Sequence, residues 1–146
     1  MLRGRVDTYL QEHNKNISTE AFSQMLSVTL YNRRFFPLYI WNVVTGMDAN
    51  GKGLCYTYDP LGCVESVPYT AKGSSGAILL PFLDNQLGGK NLKDGPKKYS
   101  ADDAVKLVRD VFISAAERDI HCGDSVTMKL VTKESTNTFT FPLRRD

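Results

Sequence analysis

The chain has 146 residues, 42% hydrophobic and 23% charged, with 18 Lys+Arg against 16 Asp+Glu and a formal net charge of +2. That length predicts one domain, over residues 1–146, with a core large enough to need no covalent staples, and the composition excludes a disordered chain. The near-neutral balance argues against a dedicated binder of nucleic acid or of acidic polymers.

Val6, Tyr9, Leu10 and His13 recur at helical steps, so the first segment reads as an amphipathic helix ending at the polar run His13 to Asn16. Ser18 or Thr19 then caps a second helix, with Glu20 in its first turn and Phe22, Met25, Leu26, Thr29 and Leu30 as its buried stripe. Arg33-Arg34 and Pro37 end it, as basic residues at a helix end followed by core-filling rings. From Leu38 to Thr45 the β-branched and aromatic composition predicts a strand. Asp48-Ala49-Asn50-Gly51-Lys52-Gly53 is a hairpin turn, and Leu54 to Tyr58 is the returning strand. Asp59-Pro60-Leu61-Gly62 makes the next turn and Cys63 to Thr70 a third strand, which Pro68 places at an edge or bulge.

Gly73-Ser74-Ser75-Gly76 permits a sharp turn into a third helix whose Ala77, Leu80, Leu83, Asp84 and Leu87 run at helical spacing. After a polar loop from Gly88 to Tyr99, Ser100 and Asp103 resemble a capping box. They open the strongest helix, with Ala104, Val105, Val108, Val111, Phe112 and Ala115 on one face and an end expected near Asp119 or Ile120. Val126, Met128 and Leu130 alternate with Thr127, Lys129 and Val131, and a turn at Glu134 to Asn137 leads to Phe139 and Phe141 in a last strand. Segregated helices and strands without regular βαβ alternation indicate an α+β layered sandwich.

Candidate chemistry is sparse. Cys55, Cys63 and Cys122 are odd in number without CxxC spacing, and only His13 and His121 could help them hold a metal. Neither a zinc site nor a disulfide framework is expected, and reduced thiols in the cytoplasm or nucleus fit. No apolar run reaches the roughly 20 residues that span a bilayer, and Met1-Leu2-Arg3-Gly4-Arg5 does not open a signal peptide, so a soluble intracellular protein is expected. His121-Cys122 invites a thiolate–imidazole dyad, but adjacent residues in extended chain face apart, and a turn explains them better. Gly73 to Gly76 lacks the lysine of a phosphate-binding loop and reads as a plain turn. Arg33-Arg34-Phe35-Phe36 sets cations beside aromatics as a single-stranded nucleic-acid platform does, though one such cluster at net charge +2 is outweighed by the core-filling reading.

Four stretches carry a resemblance: Leu30-Tyr31-Asn32-Arg33-Arg34-Phe35-Phe36-Pro37, Gly46-Met47-Asp48 through Gly51-Lys52-Gly53, Pro81-Phe82-Leu83-Asp84-Asn85-Gln86, and Asp110-Val111-Phe112-Ile113-Ser114-Ala115-Ala116-Glu117-Arg118-Asp119. Together they closely resemble proteasome beta-type subunits, most of all those at the sixth beta position of the ring. The resemblance implies an N-terminal-nucleophile hydrolase fold, a four-layer αββα sandwich, in the stacked seven-membered rings of the 20S core. It implies alpha and beta subunits and chamber polypeptides as partners, with no metal or organic cofactor, no nucleic acid and no membrane. In active members of this threonine peptidase family the nucleophile is a threonine at the mature N-terminus, whose own amine serves in proton transfer.

Against that pattern this sequence is expected to lack roughly the first third of the domain, with the nucleophile and its lysine and aspartate companions. Thr8 and Thr19 stand in helical contexts and do not replace it. The resemblance leaves supporting positions only: Ser74 matches the serine beside the threonine amine, Asp119 the aspartate bonded around it, and Cys122 stands where active members keep a serine. It further implies that this ring position is non-catalytic even when complete. The expected role is structural, within protein degradation, and the alternative is an active threonine endopeptidase whose nucleophile segment lies outside this sequence.

Overall fold

The computed structural model describes residues 2–93 and 95–145. These divide into two compact units, one ending at Pro68 and the other beginning at Tyr69.

The first unit holds α1 (Leu2–His13), α2 (Thr19–Tyr31) and an antiparallel sheet of β1 (Val43–Met47), β2 (Gly53–Tyr58) and β3 (Val64–Ser66) in that spatial order. The Ser18 hydroxyl accepts the Ala21 N–H at 3.1 Å and so caps α2 as expected. Leu26 and Leu30 of α2 pack with Tyr58 of β2, each no more than 4% exposed, and the Tyr58 hydroxyl donates to the Ser23 carbonyl at 2.9 Å. Two glycines let the helix come this close. A Cβ on Gly46 would collide with the Thr19 side chain, and one on Gly62 with the Ser27 carbonyl oxygen. Hydroxyls then bridge the same approaches, Thr19 donating to the Met47 carbonyl at 3.0 Å and Ser27 to the Gly62 carbonyl at 2.6 Å. Each turn is built by an aspartate: Asp48 accepts the Asn50 and Lys52 N–H groups, and Asp59 those of Leu61 and Cys63.

Three expectations change here. The first strand begins at Val43 rather than Leu38, because its partner β2 ends at Tyr58, opposite which the ladder runs out. One further bond joins the Tyr58 N–H to the Asn42 carbonyl, and Tyr39 takes a left-handed φ of 50° that no strand continues through. The third strand spans Val64–Ser66 instead of Cys63 to Thr70, since it pairs with only Tyr56 to Tyr58 and Pro68 cannot donate to a ladder. Finally, Phe35 and Phe36 are 97% and 82% exposed and fill no core.

The second unit holds α3 (Gly76–Gln86), α4 (Ala101–Ala116) and the antiparallel hairpin of β4 (Ser125–Val131) and β5 (Thr136–Pro142). The Ser100 hydroxyl accepts the Asp103 N–H at 3.2 Å and donates to the Asp103 carboxylate at 2.7 Å, so the variant capping box forms. Leu79 and Leu83 of α3 pack against Val111 and Ala115 of α4, with Tyr69, Leu87, Leu107, Phe112 and Cys122 around them. Val126 and Met128 are buried while Thr127 and Lys129 are exposed, which is the expected alternation of β4. The Arg109 guanidinium lies 5.0 Å from the centre of the Phe141 ring, tying α4 to β5.

The inner face of α3 agrees with expectation in part: Leu83 is buried and Leu87 packs against the core, but Leu79 joins them while Ala77 and Leu80 are exposed, because a run as uniformly apolar as Ala77 to Leu83 does not reveal its inner face. Phe112 is half-buried rather than buried. The last helix ends at Ala116, before Asp119, because the Arg118 and Asp119 N–H groups both turn back to the Ala115 carbonyl. β5 starts at Thr136, inside the expected turn, where Thr136 pairs with Val131. Among the described residues no helix is long and apolar enough to cross a membrane.

Candidate functional site

The turn before α3 and the turn after α4 meet around one carboxylate. Gly73, at φ 101°, supplies the backbone reversal, and the Gly76 N–H returns to the Gly73 carbonyl at 3.1 Å. This places Ser75 at the N-cap of α3, yet its hydroxyl does not cap its own helix. It donates instead to Oδ2 of Asp119. The other oxygen, Oδ1, accepts the His121 N–H at 2.9 Å, and the Cys122 N–H closes the turn on the Asp119 carbonyl at 3.1 Å. Hydrogen bonds from the Ser75 hydroxyl, the His121 amide and the Ser74 hydroxyl favour the ionised carboxylate and hold the Asp119 pKa down at about 2, against an ordinary 3.8.

Of the three residues singled out by resemblance, Ser74 and Asp119 are thus brought together. Cys122 is joined to them through its backbone, while its side chain packs against the core of the second unit. His121 is exposed, and the Cys122 N–H bond back to the Asp119 carbonyl makes this segment a turn, as the sequence reading expects. Ser75 is the residue that sequence reasoning missed. It is 7% exposed and donates to Asp119, whereas Ser74 is solvent-exposed. The only signal in the sequence was its place before an apolar helical run, which makes it an N-cap candidate but does not point its hydroxyl at Asp119.

Next to Asp119 the chain forms an open, polar hollow of about 450 Å³, lined by residues 116–124 with Arg144 and Arg145. Its walls are tied by the Arg144–Glu117 ion pair at 2.6 Å and by two backbone bonds, from Asp124 N–H to the Arg144 carbonyl and from Leu143 N–H to the Asp124 carbonyl. Among the described residues no group of three His, Cys, Asp or Glu side chains is placed to hold a metal ion, and the three cysteines are free thiols. The geometry orients and holds two turns around one ionised carboxylate.

The sequence model of the proteasome subunit family matches residues 1–131. A Drosophila melanogaster protein named proteasome subunit beta type-1 is 47% identical over 99% of this chain and 63% of its own length. Proteins of the same name from Danio rerio and Arabidopsis thaliana are each 42% identical over 100% of this chain, covering 62% and 68% of themselves. The chain thus spans less than two thirds of the length of the animal relatives.

Proposed function

The chain belongs to the proteasome subunit family, and from that premise we propose that it is a structural, non-catalytic beta subunit of the 20S core, serving protein degradation by holding neighbouring subunits in place. Its partners on this reading are the other beta and alpha subunits of stacked seven-membered rings, in the cytoplasm and nucleus. Residues 1–146 form part of one proteasome beta-type domain, an N-terminal-nucleophile hydrolase sandwich. Ser74, Asp119 and Cys122 are its supporting positions rather than its chemistry.

The observation that supports the non-catalytic part is what these side chains are engaged in: the Asp119 carboxylate accepts from the Ser75 hydroxyl and the His121 N–H and so ties two turns together, and the Thr8 and Thr19 hydroxyls, both in helices, donate to the Gly4 and Met47 carbonyls. The assembly part rests on the match to proteins named beta type-1 along 99% of this chain or more. The test is to express the tagged chain in cells, separate the lysate by native sedimentation, and treat the particle fraction with a threonine-directed epoxyketone. The chain is expected to co-migrate with the many-subunit particle and to stay unlabelled. A tagged chain found only as a free species overturns the assembly role, and covalent labelling of this chain overturns the non-catalytic one.

A further inference from the structure

Two carboxylates of the second unit, Asp84 and Asp119, fasten the two ends of one segment, residues 69–75. At its far end the Ser75 hydroxyl donates to Asp119. At its near end the Tyr69 hydroxyl donates to Oδ1 of Asp84 at 2.8 Å. Between these ends Ala71 packs, like Tyr69, against the core of Leu79, Leu83, Val111 and Ala115, and a Cβ on Gly76 would lie 3.2 Å from the Ala71 carbonyl oxygen, so the start of α3 rests on the middle of the segment. The two fastenings are separated by most of the length of α3, since the rise from Ser75 to Asp84 at 1.5 Å per residue is roughly 14 Å.

The anchor for Tyr69 is itself held in place. Oδ1 of Asp84 also takes the Lys90 ammonium at 2.8 Å. Lys90 is fixed at the exit of α3, its N–H donating to the Asp84 carbonyl at 3.0 Å and its own carbonyl accepting from the Asn85 side-chain amide at 3.3 Å. The Lys90 ammonium and the Tyr69 hydroxyl hold the Asp84 carboxyl below the usual carboxylate range, so Tyr69 donates to a charged acceptor, a bond roughly twice as strong as a neutral one. Gly88 keeps the place of the hydroxyl clear, because a Cβ there would collide with it. We propose that Tyr69 is a positioning residue of the Asp119 site: fastened to Asp84, it holds residues 69–75 on the path that presents Ser75 to Asp119. A tyrosine that only filled the core would need its ring and not its hydroxyl, and what happened at its hydroxyl would not be felt at Ser75.

This inference concerns how the site is built and does not rest on the proposed function. The full chain is compared with Tyr69→Phe, Ser75→Ala and the double variant at neutral pH, and the slowest amide hydrogen exchange in α4 reads the opening equilibrium of the second unit. Independent sites more than about 10 Å apart change that equilibrium by factors that multiply to within about twofold. The effect of Ser75→Ala should instead be about fivefold smaller when Tyr69 is already Phe, because the segment then no longer presents Ser75 to Asp119. Tyr99→Phe is the control. It removes a tyrosine hydroxyl bond to the Gln86 carbonyl at the same end of α3 but outside the segment, so its factor and that of Ser75→Ala should multiply. In the folded protein the His121 amide, which donates to Asp119, gives a second readout by NMR. Its signal should move toward its Ser75→Ala position in Tyr69→Phe and in Gly88→Ala, and stay in place in Tyr99→Phe. Factors that multiply for Tyr69→Phe, coupling of equal size for Tyr99→Phe, or a His121 signal unmoved by Tyr69→Phe overturns the inference. Should Gly88→Ala not fold, Tyr69→Phe decides alone.

Discussion

Gly62→Ala tests the closest approach in the first unit. Gly62 sits at φ 93°, a conformation that costs a residue with a Cβ about 1–3 kcal/mol. The added methyl would also press on the Ser27 carbonyl oxygen and lie 3.2 Å from the Leu30 Cβ, so the loop must retreat from α2. Retreat breaks the 2.6 Å bond from the Ser27 hydroxyl to the Gly62 carbonyl, a loss of about 0.5–1.5 kcal/mol. The sum is about 1.5–4.5 kcal/mol. Urea unfolding followed by Trp41 fluorescence and by circular dichroism measures it, with two comparisons built in. Gly73→Ala shares the positive φ, 101°, but meets nothing within 4 Å, so it should show the backbone cost alone. Gly53→Ala meets nothing and has no positive φ, so it should change little. Gly62→Ala losing no more than Gly73→Ala would refute the reasoning, because the steric contribution would then be nil.

Ser75→Ala removes the largest cause of the low Asp119 pKa, which should rise toward 3.8 in an NMR titration, whereas Ser74→Ala should move it less. Because the folded-state pKa lies below the unfolded one, the stability contributed by Asp119 is complete above about pH 4 and lost as pH falls toward 2; Asp119→Asn should flatten that part of the stability–pH curve. Tyr58→Phe keeps the ring in place at 1% exposure and deletes only the hydroxyl bond to the Ser23 carbonyl, so unfolding should register a loss of about 1 kcal/mol. Leu83→Ala should cost about 2–5 kcal/mol and Leu80→Ala far less, since Leu83 is 8% exposed and Leu80 37%; the reverse order would show α3 to be rotated from the phase described.

Much of the fold was legible because the signals are local. The cap at Ser18, the aspartate turns at Asp48 and Asp59, the variant capping box at Ser100 and the alternation of β4 each involve residues only a few positions apart. Backbone chemistry over such spans owes little to the rest of the molecule. Asp119 and Ser74 were singled out by resemblance to a family pattern, not by local chemistry; in the structure the side-chain hydrogen bond to Asp119 comes from the neighbouring Ser75.

What escaped the sequence depends on partners distant along the chain. The composition of Leu38 to Asn42 is that of a strand, but composition cannot say that β2 has ended opposite it. An apolar run such as Ala77 to Leu83 has no polar face to orient it, so only the packing of Val111 and Ala115 chose Leu79 and Leu83. Ser75 is 44 residues from Asp119, and the choice between two neighbouring serines was settled by which one the Gly73 turn buries. The amino-acid order alone determined the elements, their sequence along the chain and the family, because propensity, capping and motif are properties of neighbours. Tertiary structure decided register, helix phase and which rings stay in water, because each of these is a competition for burial among residues that the chain brings together only on folding.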